Sequence, residues 1–279
     1  MIHTSRQLKA LVRNLSKGDS TKAQIIIRNY VMERFLERLS ISAYHDNLIL
    51  KGGTLVAAMV GLDNRSTLDV DTTIKNLPLT EESVRKIVGE ITSVEIDDGM
   101  VFEIKSILPI IDAADYPGIR VSLNTTLETM QTPLKIDLST DDVITPREDS
   151  YSFKLMFENR TISILAYNLE TVLAEKIETL LARGTANSRM RDFYDIFVLE
   201  QSLSHNINGA LLKRAFTNTS EKRGSSAVVS DIDIILNEVE NSPDMAVLWK
   251  NYQRKFEYAS DIGWDGVMRT VRKLCGNIK

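Results

Sequence analysis

Between residues 48 and 75 the chain carries an ordered series of local signals that few folds accommodate. An apolar run of strand length (48–50) leads into Lys-Gly-Gly-Thr (51–54), and an apolar helical run (55–60) follows. Residues 68–75 then alternate between apolar and polar, which predicts a strand with one buried face and one acidic face. This order of strand, glycine turn, helix and strand predicts a mixed α/β domain.

Two aspartates define the acidic face of the second strand. Asp69 and Asp71 are two residues apart, so a strand points both side chains to the same side, while Val70 points into the core. Magnesium prefers oxygen ligands, which carboxylates on a rigid strand can supply. An Asp-x-Asp pair is also common on plain solvated surfaces, so the pair alone leaves both interpretations open.

A later segment, residues 135–139, repeats this design with Asp137 on its polar face. If the two strands are neighbours, Asp137 joins Asp69 and Asp71, and three carboxylates can hold one or two metal ions. Two such ions would stabilise both the attacking and the leaving oxygen of a phosphoryl transfer. The sequence therefore predicts a Mg²⁺ site, with the three aspartates as its ligands.

The glycine turn is the predicted place for a nucleotide. Gly52 and Gly53 let the backbone approach a phosphate, and the start of the next helix would direct N–H groups at it. Thr54 adds a hydroxyl donor, and Arg65 can pair a phosphate or brace Asp69. A Gly-Gly-Thr sequence can equally be only a turn, but the whole ordered set favours metal-dependent nucleotidyl transfer.

The predicted elements divide the chain near residue 166. Strands are expected over 101–107, 118–126, 133–140, 151–158 and 161–165, and helices over 5–16, 21–40 and 80–92, with caps at Ser20-Thr21 and Thr80. From residue 168 the chain is mainly helical. We therefore place an α/β domain at 1–166 and an α-helical domain at 167–279.

The composition limits the classes of function. The net charge of −4 means that nucleic-acid contact requires a local basic patch. The single cysteine and three scattered histidines argue against a zinc site, and no stretch approaches the length of a membrane helix. The start lacks an apolar signal core, so we expect a cytoplasmic protein. Candidates for a basic patch are 213–214, 222–223, Lys250, 254–255, Arg269 and 272–273, although interspersed acids make solvated helix faces an equal alternative.

A charged helical hairpin dominates the second half. Arg189 with Asp192, and Arg191 with Asp195, have the spacing of ion pairs on a helix surface, which by itself favours a structural role. In the functional interpretation, Lys176 reaches the triphosphate as a point charge, and Asp192 orients it or the acceptor hydroxyl. The register of the hairpin leaves open whether Asp192 or Asp195 lies nearer Lys176.

At these residues the chain resembles the AbiEii/AbiGii nucleotidyltransferase toxins, and AbiEii most closely. The likeness runs in order through Lys51–Thr54, Arg65–Asp71, Leu134–Thr140, Val143–Pro146, Tyr167–Lys176, Arg183-Gly184 and Arg189–Asp195. The resemblance implies a DNA polymerase β-like nucleotidyltransferase fold followed by an α-helical C-terminal region. Thr54 stands where many nucleotidyltransferases have serine, which keeps the hydroxyl.

The resemblance also implies a function. It implies a toxin of a toxin–antitoxin pair that serves phage defence by abortive infection, with an AbiEi-like antitoxin encoded alongside. It assigns functional roles to Asp69, Asp71, Lys176 and Asp192. The expected reaction moves a nucleoside monophosphate from an NTP to RNA, with the tRNA 3′ end as the expected acceptor and GTP as an expected ligand.

Three other functions stay open. A GTP-binding toxin or regulatory module would bind nucleotide without transferring it, and a relative that modifies a small molecule or a protein would form product without RNA. A purely structural antitoxin-binding protein would have no use for the ordered acidic set, which disfavours it.

Overall fold

The computed structural model of the protein describes residues 1–110, 118–140 and 142–279. Within these residues lie one seven-stranded sheet and ten α-helices. The strands are β1 (Leu48–Lys51), β2 (Asp69–Ile74), β3 (Met100–Ile110), β4 (Gly118–Leu127), β5 (Met130–Ser139), β6 (Asp149–Lys154) and β7 (Thr161–Ala166). The helices are α1 (Ser5–Ser16), α2 (Ser20–Ile41), α3 (Gly52–Val60), α4 (Glu81–Thr92), α5 (Leu169–Arg183), α6 (Met190–Leu203), α7 (Gly209–Lys222), α8 (Val228–Asn241), α9 (Pro243–Lys255) and α10 (Trp264–Gly276).

The chain divides into two compact units. Unit 1 comprises Met1–Ala58, Ser66–Asp141 and Asp149–Ala166. Unit 2 comprises Met59–Arg65, Asp142–Glu148 and Tyr167–Lys279. Two short segments that precede residue 166 therefore belong with the C-terminal helices.

The sheet of unit 1 has the strand order β3-β4-β5-β2-β1-β7-β6. Its centre is mixed, because β1 pairs antiparallel with β2 and parallel with β7, while β2 pairs parallel with β5. Leu134, Ile136 and Leu138 of β5 are buried, as is all of Leu48–Leu50 in β1. Helix α2 packs on β5 and β7 and covers this apolar face. The polar residues that alternate with the buried ones are left on the opposite face.

Local sequence explains where the helices begin. Thr80 caps α4 as predicted, since its hydroxyl accepts the Ser83 N–H at 3.2 Å. Helix α2 begins at Ser20, and its cap is Asp19 rather than the predicted Ser20-Thr21, because the Asp19 carboxylate accepts the Lys22 N–H at 2.9 Å. An aspartate is a stronger cap than a residue already inside the first turn.

The predicted strand over 151–158 is wrong at both ends. Strand β6 begins at Asp149 and ends at Lys154, and a turn then reverses the chain into β7. The backbone N–H of Leu155 donates to the carbonyl of Arg160 across that turn at 3.2 Å. Apolar residues continue past Lys154 through Leu155, Met156 and Phe157, so the sequence pattern alone did not reveal the reversal.

Unit 2 is a helical assembly around its own core. Helix α5 packs against α6, α7 and α8, and α6 packs against α9 and α10. Buried members of this core include Leu173, Ile177, Phe193, Phe216 and Trp249. No helix in the described part of the chain is long and apolar enough to cross a membrane.

Candidate active site

Four charged side chains form a row across four adjacent strands of unit 1. In register, Lys51 of β1 lies opposite Asp71 of β2, Asp71 lies beside Asp137 of β5, and Asp137 lies opposite Arg120 of β4. We call Lys51, Asp71, Asp137 and Arg120 the charged row. Two central carboxylates are thus flanked by one cation on each side. Strands β2 and β5 are neighbours, which is the condition on which the predicted carboxylate site depends.

The Asp71 side chain, on β2, contacts the first residues of helix α3. Its Oδ2 accepts the backbone N–H of Gly53 at 3.1 Å. A Cβ on Gly52 would lie 2.4 Å from the same Oδ2, and Gly52 has a φ of +61° that glycine adopts most readily. The glycines therefore let the helix N-terminus close onto a carboxylate. Asp71 thus lies against the glycine turn, and nucleotide binding by Gly52 and Gly53 stays a prediction.

The electrostatics of Asp71 follow from this crowding. Desolvation raises the pKa of the Asp71 carboxyl to about 6, and the neighbouring Asp137 carboxylate adds to the rise. Lys51 and the Gly53 N–H oppose it. Asp69 acts in the same direction as Asp137, so both of the other predicted ligands contribute to the raised pKa of Asp71.

Asp137 is held by an arginine that the sequence analysis did not single out. Arg120 donates from Nε to Oδ1 at 2.7 Å and from Nη2 to Oδ2 at 2.6 Å. The described residues contain no group of three or more His, Cys, Asp or Glu side chains placed to hold a metal ion. Asp71 and Asp137 lie side by side in register, and Arg120 donates one hydrogen bond to each oxygen of Asp137. Metal binding by Asp69, Asp71 and Asp137 stays a prediction, and at Asp137 a metal ion would share the oxygens with Arg120.

The pairing of Arg120 with Asp137 follows from the register of the β4–β5 hairpin. Leu127 pairs with Met130 across a two-residue turn, and the pairing continues without a shift to Arg120 and Asp137. Counting back from that turn places the arginine opposite the aspartate. The turn has no glycine or asparagine, with Glu128 taking the positive φ of 54°, so the usual hairpin signature was absent.

Thr54 and Lys51 fasten the same region. The Thr54 hydroxyl is buried and donates to the backbone carbonyl of Asp69 at 2.6 Å, which ties the first turn of α3 to the start of β2. Lys51 donates from Nζ to the Ser139 hydroxyl at 2.7 Å. In this structure the Thr54 hydroxyl donates to the Asp69 carbonyl, and its donation to a triphosphate stays a prediction.

A second cluster of charges lies in unit 2. Lys176 of α5 places Nζ 3.0 Å from Asp192 Oδ1 and 2.7 Å from Asp195 Oδ2, both on α6. The open question of which aspartate partners Lys176 is thereby answered, because both do. Arg189 completes the cluster, with Nε 2.9 Å from Asp192 Oδ2.

Arg65 belongs to this second cluster. Its Nε lies 2.6 Å from Asp195 Oδ1 and its Nη2 lies 3.2 Å from Asp195 Oδ2, and the whole residue is only 1% exposed. A phosphate or Asp69 was the predicted partner of Arg65, and the structure pairs it with Asp195. A planar guanidinium and a carboxylate match in two parallel hydrogen bonds, which explains this choice.

The fully buried Asp195 carboxylate sits between two cations. Burial alone would raise its pKa, but the charges of Lys176 and Arg65 outweigh burial and hold the pKa below its usual value. Burial would lower the pKa of Lys176, but Asp195 and Asp192 outweigh it and raise that pKa. Both groups are therefore charged at neutral pH.

Comparison with known proteins gives a consistent result. A family model described as nucleotidyl transferase AbiEii toxin, type IV TA system, matches residues 34–270. No curated protein sequence matches significantly. The solved structure of MenT4, a nucleotidyltransferase toxin from Mycobacterium tuberculosis, is 16% identical with a TM-score of 0.57, over 97% of this chain and 99% of that one. JHP933 from Helicobacter pylori is 14% identical with a TM-score of 0.51, over 91% of this chain and 93% of that one. The predicted nucleotidyltransferase fold is confirmed.

Proposed function

The chain belongs to the AbiEii nucleotidyltransferase toxin family of type IV toxin–antitoxin systems, and from that premise we propose that it transfers a nucleoside monophosphate from an NTP to the 3′ end of an RNA, with tRNA as the acceptor. Unit 1 is the nucleotidyltransferase domain in this proposal. The observation that carries it is the charged row, in which Asp71 and Asp137 lie side by side on adjacent strands with Asp69 two residues before Asp71.

The acidic residues fit a divalent cation by their chemistry. Asp69 and Asp71 present carboxylate oxygens on one strand face, and oxygen is the donor that Mg²⁺ prefers. The two would hold the ion, with Asp137 as a third ligand once Arg120 has left it. When bound, Mg²⁺ supplies positive charge against the triphosphate and the leaving pyrophosphate.

The chain's own groups then have separate tasks. The RNA 3′-oxygen attacks the α-phosphorus, a new phosphate ester forms, and the bond to the β-phosphate breaks as pyrophosphate leaves. Asp137 accepts the proton of the attacking hydroxyl. Arg120, displaced from Asp137, has a two-pronged donor that matches a phosphate as well as it matches a carboxylate. Gly52 and Gly53 keep the backbone narrow where the phosphates approach.

Lys176 and Asp192 take functional roles from the family likeness. We propose that Lys176 contributes positive charge for the triphosphate and that Asp192 and Asp195 set its position. The geometry supports the second part, because two carboxylates hold Lys176 Nζ at 3.0 and 2.7 Å. Arg65 acts through Asp195 and is a positioning residue in this scheme.

The biological setting follows from the family. A type IV toxin implies an antitoxin, which we propose to be an AbiEi-like protein encoded alongside. The proposed setting is the cytoplasm, where NTPs and tRNA are available, and the proposed outcome is abortive infection during phage attack. GTP is the NTP that we propose first.

The test is incubation of the protein with each α-labelled NTP, Mg²⁺ and total tRNA, followed by sequencing of the extended 3′ ends. We expect label in RNA with the unaltered protein and none with Asp69→Asn/Asp71→Asn. Asp97→Asn is the matched control, because its side chain is 99% exposed in the same unit. Equal labelling by the double variant, with the fold verified by circular dichroism, would overturn the mechanism.

Two other results would select other functions. Binding of NTP without covalent product on any molecule would indicate a GTP-binding regulatory module. Label on a protein or a small molecule in the absence of RNA would indicate a different acceptor.

A further inference from the structure

The half-buried ring of Phe256 in unit 2 carries two exposed cations. Phe256 follows helix α9 directly and stacks on Tyr258, with ring centroids 5.3 Å apart and planes 20° from parallel. The Arg191 guanidinium carbon lies 5.4 Å from the Phe256 centroid, and Lys255 Nζ lies 5.6 Å from it. Both cations are exposed to solvent. We call Arg191, Lys255, Phe256 and Tyr258 the aromatic–basic surface.

The aromatic pair rests on a rigid base. The Tyr258 ring lies 4.8 Å from the ring of buried Tyr194, and its hydroxyl is 3.2 Å from that of buried Tyr252. Tyr252 in turn stacks on buried Trp249 at 5.4 Å. Rings anchored in this way keep their orientation, so little conformational entropy is lost when a ligand stacks on them.

Within the fold these two cations contact the Phe256 ring rather than a carboxylate of the described residues. Among the described residues no carboxylate forms an ion pair with Arg191 or Lys255. Arg191 is the second residue of α6, where the helix dipole disfavours a cation. Neighbouring Arg254 is also exposed, and Glu257 is the only acid between residues 250 and 258. The positive charge of these side chains is disfavoured in the isolated protein, and it favours the binding of an anion.

Tertiary structure brings these cations together. Arg191 is at the start of α6 and Lys255 is at the end of α9, so two basic segments far apart in sequence converge on one ring. Proteins recognise single-stranded RNA by stacking its bases on aromatic rings and arginine planes while basic side chains track the phosphates. An acidic protein partner would use the charges but not the ring faces.

From this combination we infer that the aromatic–basic surface binds the unpaired end of the RNA acceptor, with a base on Phe256 and phosphates on Arg191 and Lys255. This inference rests on the proposed function, since it names where that RNA is held. It assigns the binding role to the 254–255 pair among the basic candidates and adds Arg191 from the helical hairpin.

The test measures the affinity of the full chain for a short fluorescent single-stranded RNA over a salt series. For Arg191→Gln/Lys255→Gln we expect roughly tenfold weaker binding and a salt slope shallower by about 1.4, for two lost phosphate contacts. For Phe256→Leu we expect roughly tenfold weaker binding with an unchanged salt slope, and Phe256→Tyr should restore it. Lys213→Gln/Arg214→Gln is the matched control, with the same charge change on α7 of the same unit.

The outcomes separate this inference from the proposed function. Unchanged RNA affinity in all variants, or an equal loss of RNA affinity in the α7 control, would show that the aromatic–basic surface does not bind the RNA. This conclusion would hold even if the protein still labels RNA. Loss of binding to an acidic peptide without loss of RNA affinity would also overturn it, in favour of a protein partner. NTP affinity should be unchanged in every variant, and thermal unfolding verifies that each one folds.

Discussion

Arg120 holds both carboxylate oxygens of Asp137 from the opposite position on the neighbouring strand, at 2.7 and 2.6 Å. This pairing neutralises one of two adjacent carboxylates, because Asp71 lies on the other side of Asp137. It also uses one lone pair of each oxygen to which a metal ion would bind. Arg120 and a divalent cation therefore compete for the same oxygens.

Replacing Arg120 with Gln should strengthen Mg²⁺ binding. Without the arginine, Asp137 and Asp71 repel each other unless a cation arrives, and the arginine no longer has to be displaced. The pair is partly exposed, so we expect an effect of about 1 kcal/mol, which corresponds to roughly fivefold tighter Mg²⁺ binding. The measurement is the thermal unfolding temperature of the variant and the unaltered protein as a function of MgCl₂ concentration.

The control for this experiment is Lys105→Gln, which removes one exposed charge from β3 of the same sheet. If Lys105→Gln produces the same gain, the effect is one of net charge. If Arg120→Gln leaves Mg²⁺ affinity unaltered, the competition does not exist.

Gly52→Ala should cost far more stability than Gly61→Ala. Both glycines have positive φ, +61° and +89°, so each alanine costs about 1–2 kcal/mol in backbone strain. A Cβ at 52 also meets Asp71 Oδ2 at 2.4 Å, whereas a Cβ at 61 meets nothing within 4 Å. Overpacking adds about 1–3 kcal/mol at 52 only. Urea denaturation measures the difference, and equal losses would refute the close approach.

Asp195→Asn should destabilise the protein by about 3–5 kcal/mol, because it leaves Arg65 and Lys176 buried with less compensating charge. Asp192→Asn should cost only about 1 kcal/mol, because Lys176 keeps Asp195 and the Arg189 side chain is 54% exposed. Free energies of unfolding from urea titrations compare the two. A larger loss of stability for Asp192→Asn than for Asp195→Asn would mean that Asp192 is the main carboxylate of the cluster.

Stability should fall as pH rises from about 4.5 to about 7 because of Glu33 in α2. Burial raises the pKa of Glu33 to about 7, although two hydrogen bonds from the Met156 N–H and the charge of Arg34 oppose the rise. The unfolded chain loses this proton near pH 4.5. Between these values the folded state binds the extra proton, so deprotonation costs it up to about 3 kcal/mol, and the loss is complete above pH 7.

Urea titrations at pH 5 and pH 8 measure this loss. Glu33→Gln cannot titrate and should make the decline smaller, leaving the part that comes from the raised pKa of Asp71. Glu103→Gln on the exposed side of β3 should leave the decline in place. A decline of the same size in Glu33→Gln would assign it to another group.

Within the candidate site, sequence and structure contributed differently. The alternation around Asp69, Asp71 and Asp137 was enough to predict strands with acidic faces, because side chains on a strand alternate by geometry alone. The glycine turn and the helix after it were also local. The partner of Asp137 was not, because Arg120 meets it only through a hairpin register that the turn residues did not announce.

In unit 2, too, the sequence indicated pairs of neighbouring residues, and the structure decided the distant pairs. Helical spacing suggested Arg189–Asp192, which the structure contains, and Arg191–Asp195, which it replaces with two stronger partners for Asp195. Arg65 lies 130 residues before Asp195, so no local spacing could pair them. Arg191 was left to turn outward over Phe256.

The sequence by itself determined the elements, the acidic faces and the family, because each depends on spacing within a few neighbouring residues. Only tertiary structure decided which distant side chains meet: Arg120 with Asp137, Arg65 with Asp195, and Arg191 with Phe256. The physical reason is that contacts between residues far apart in sequence depend on the register of strands and the packing of helices, and a buried charge such as that of Arg65 must find its partner there.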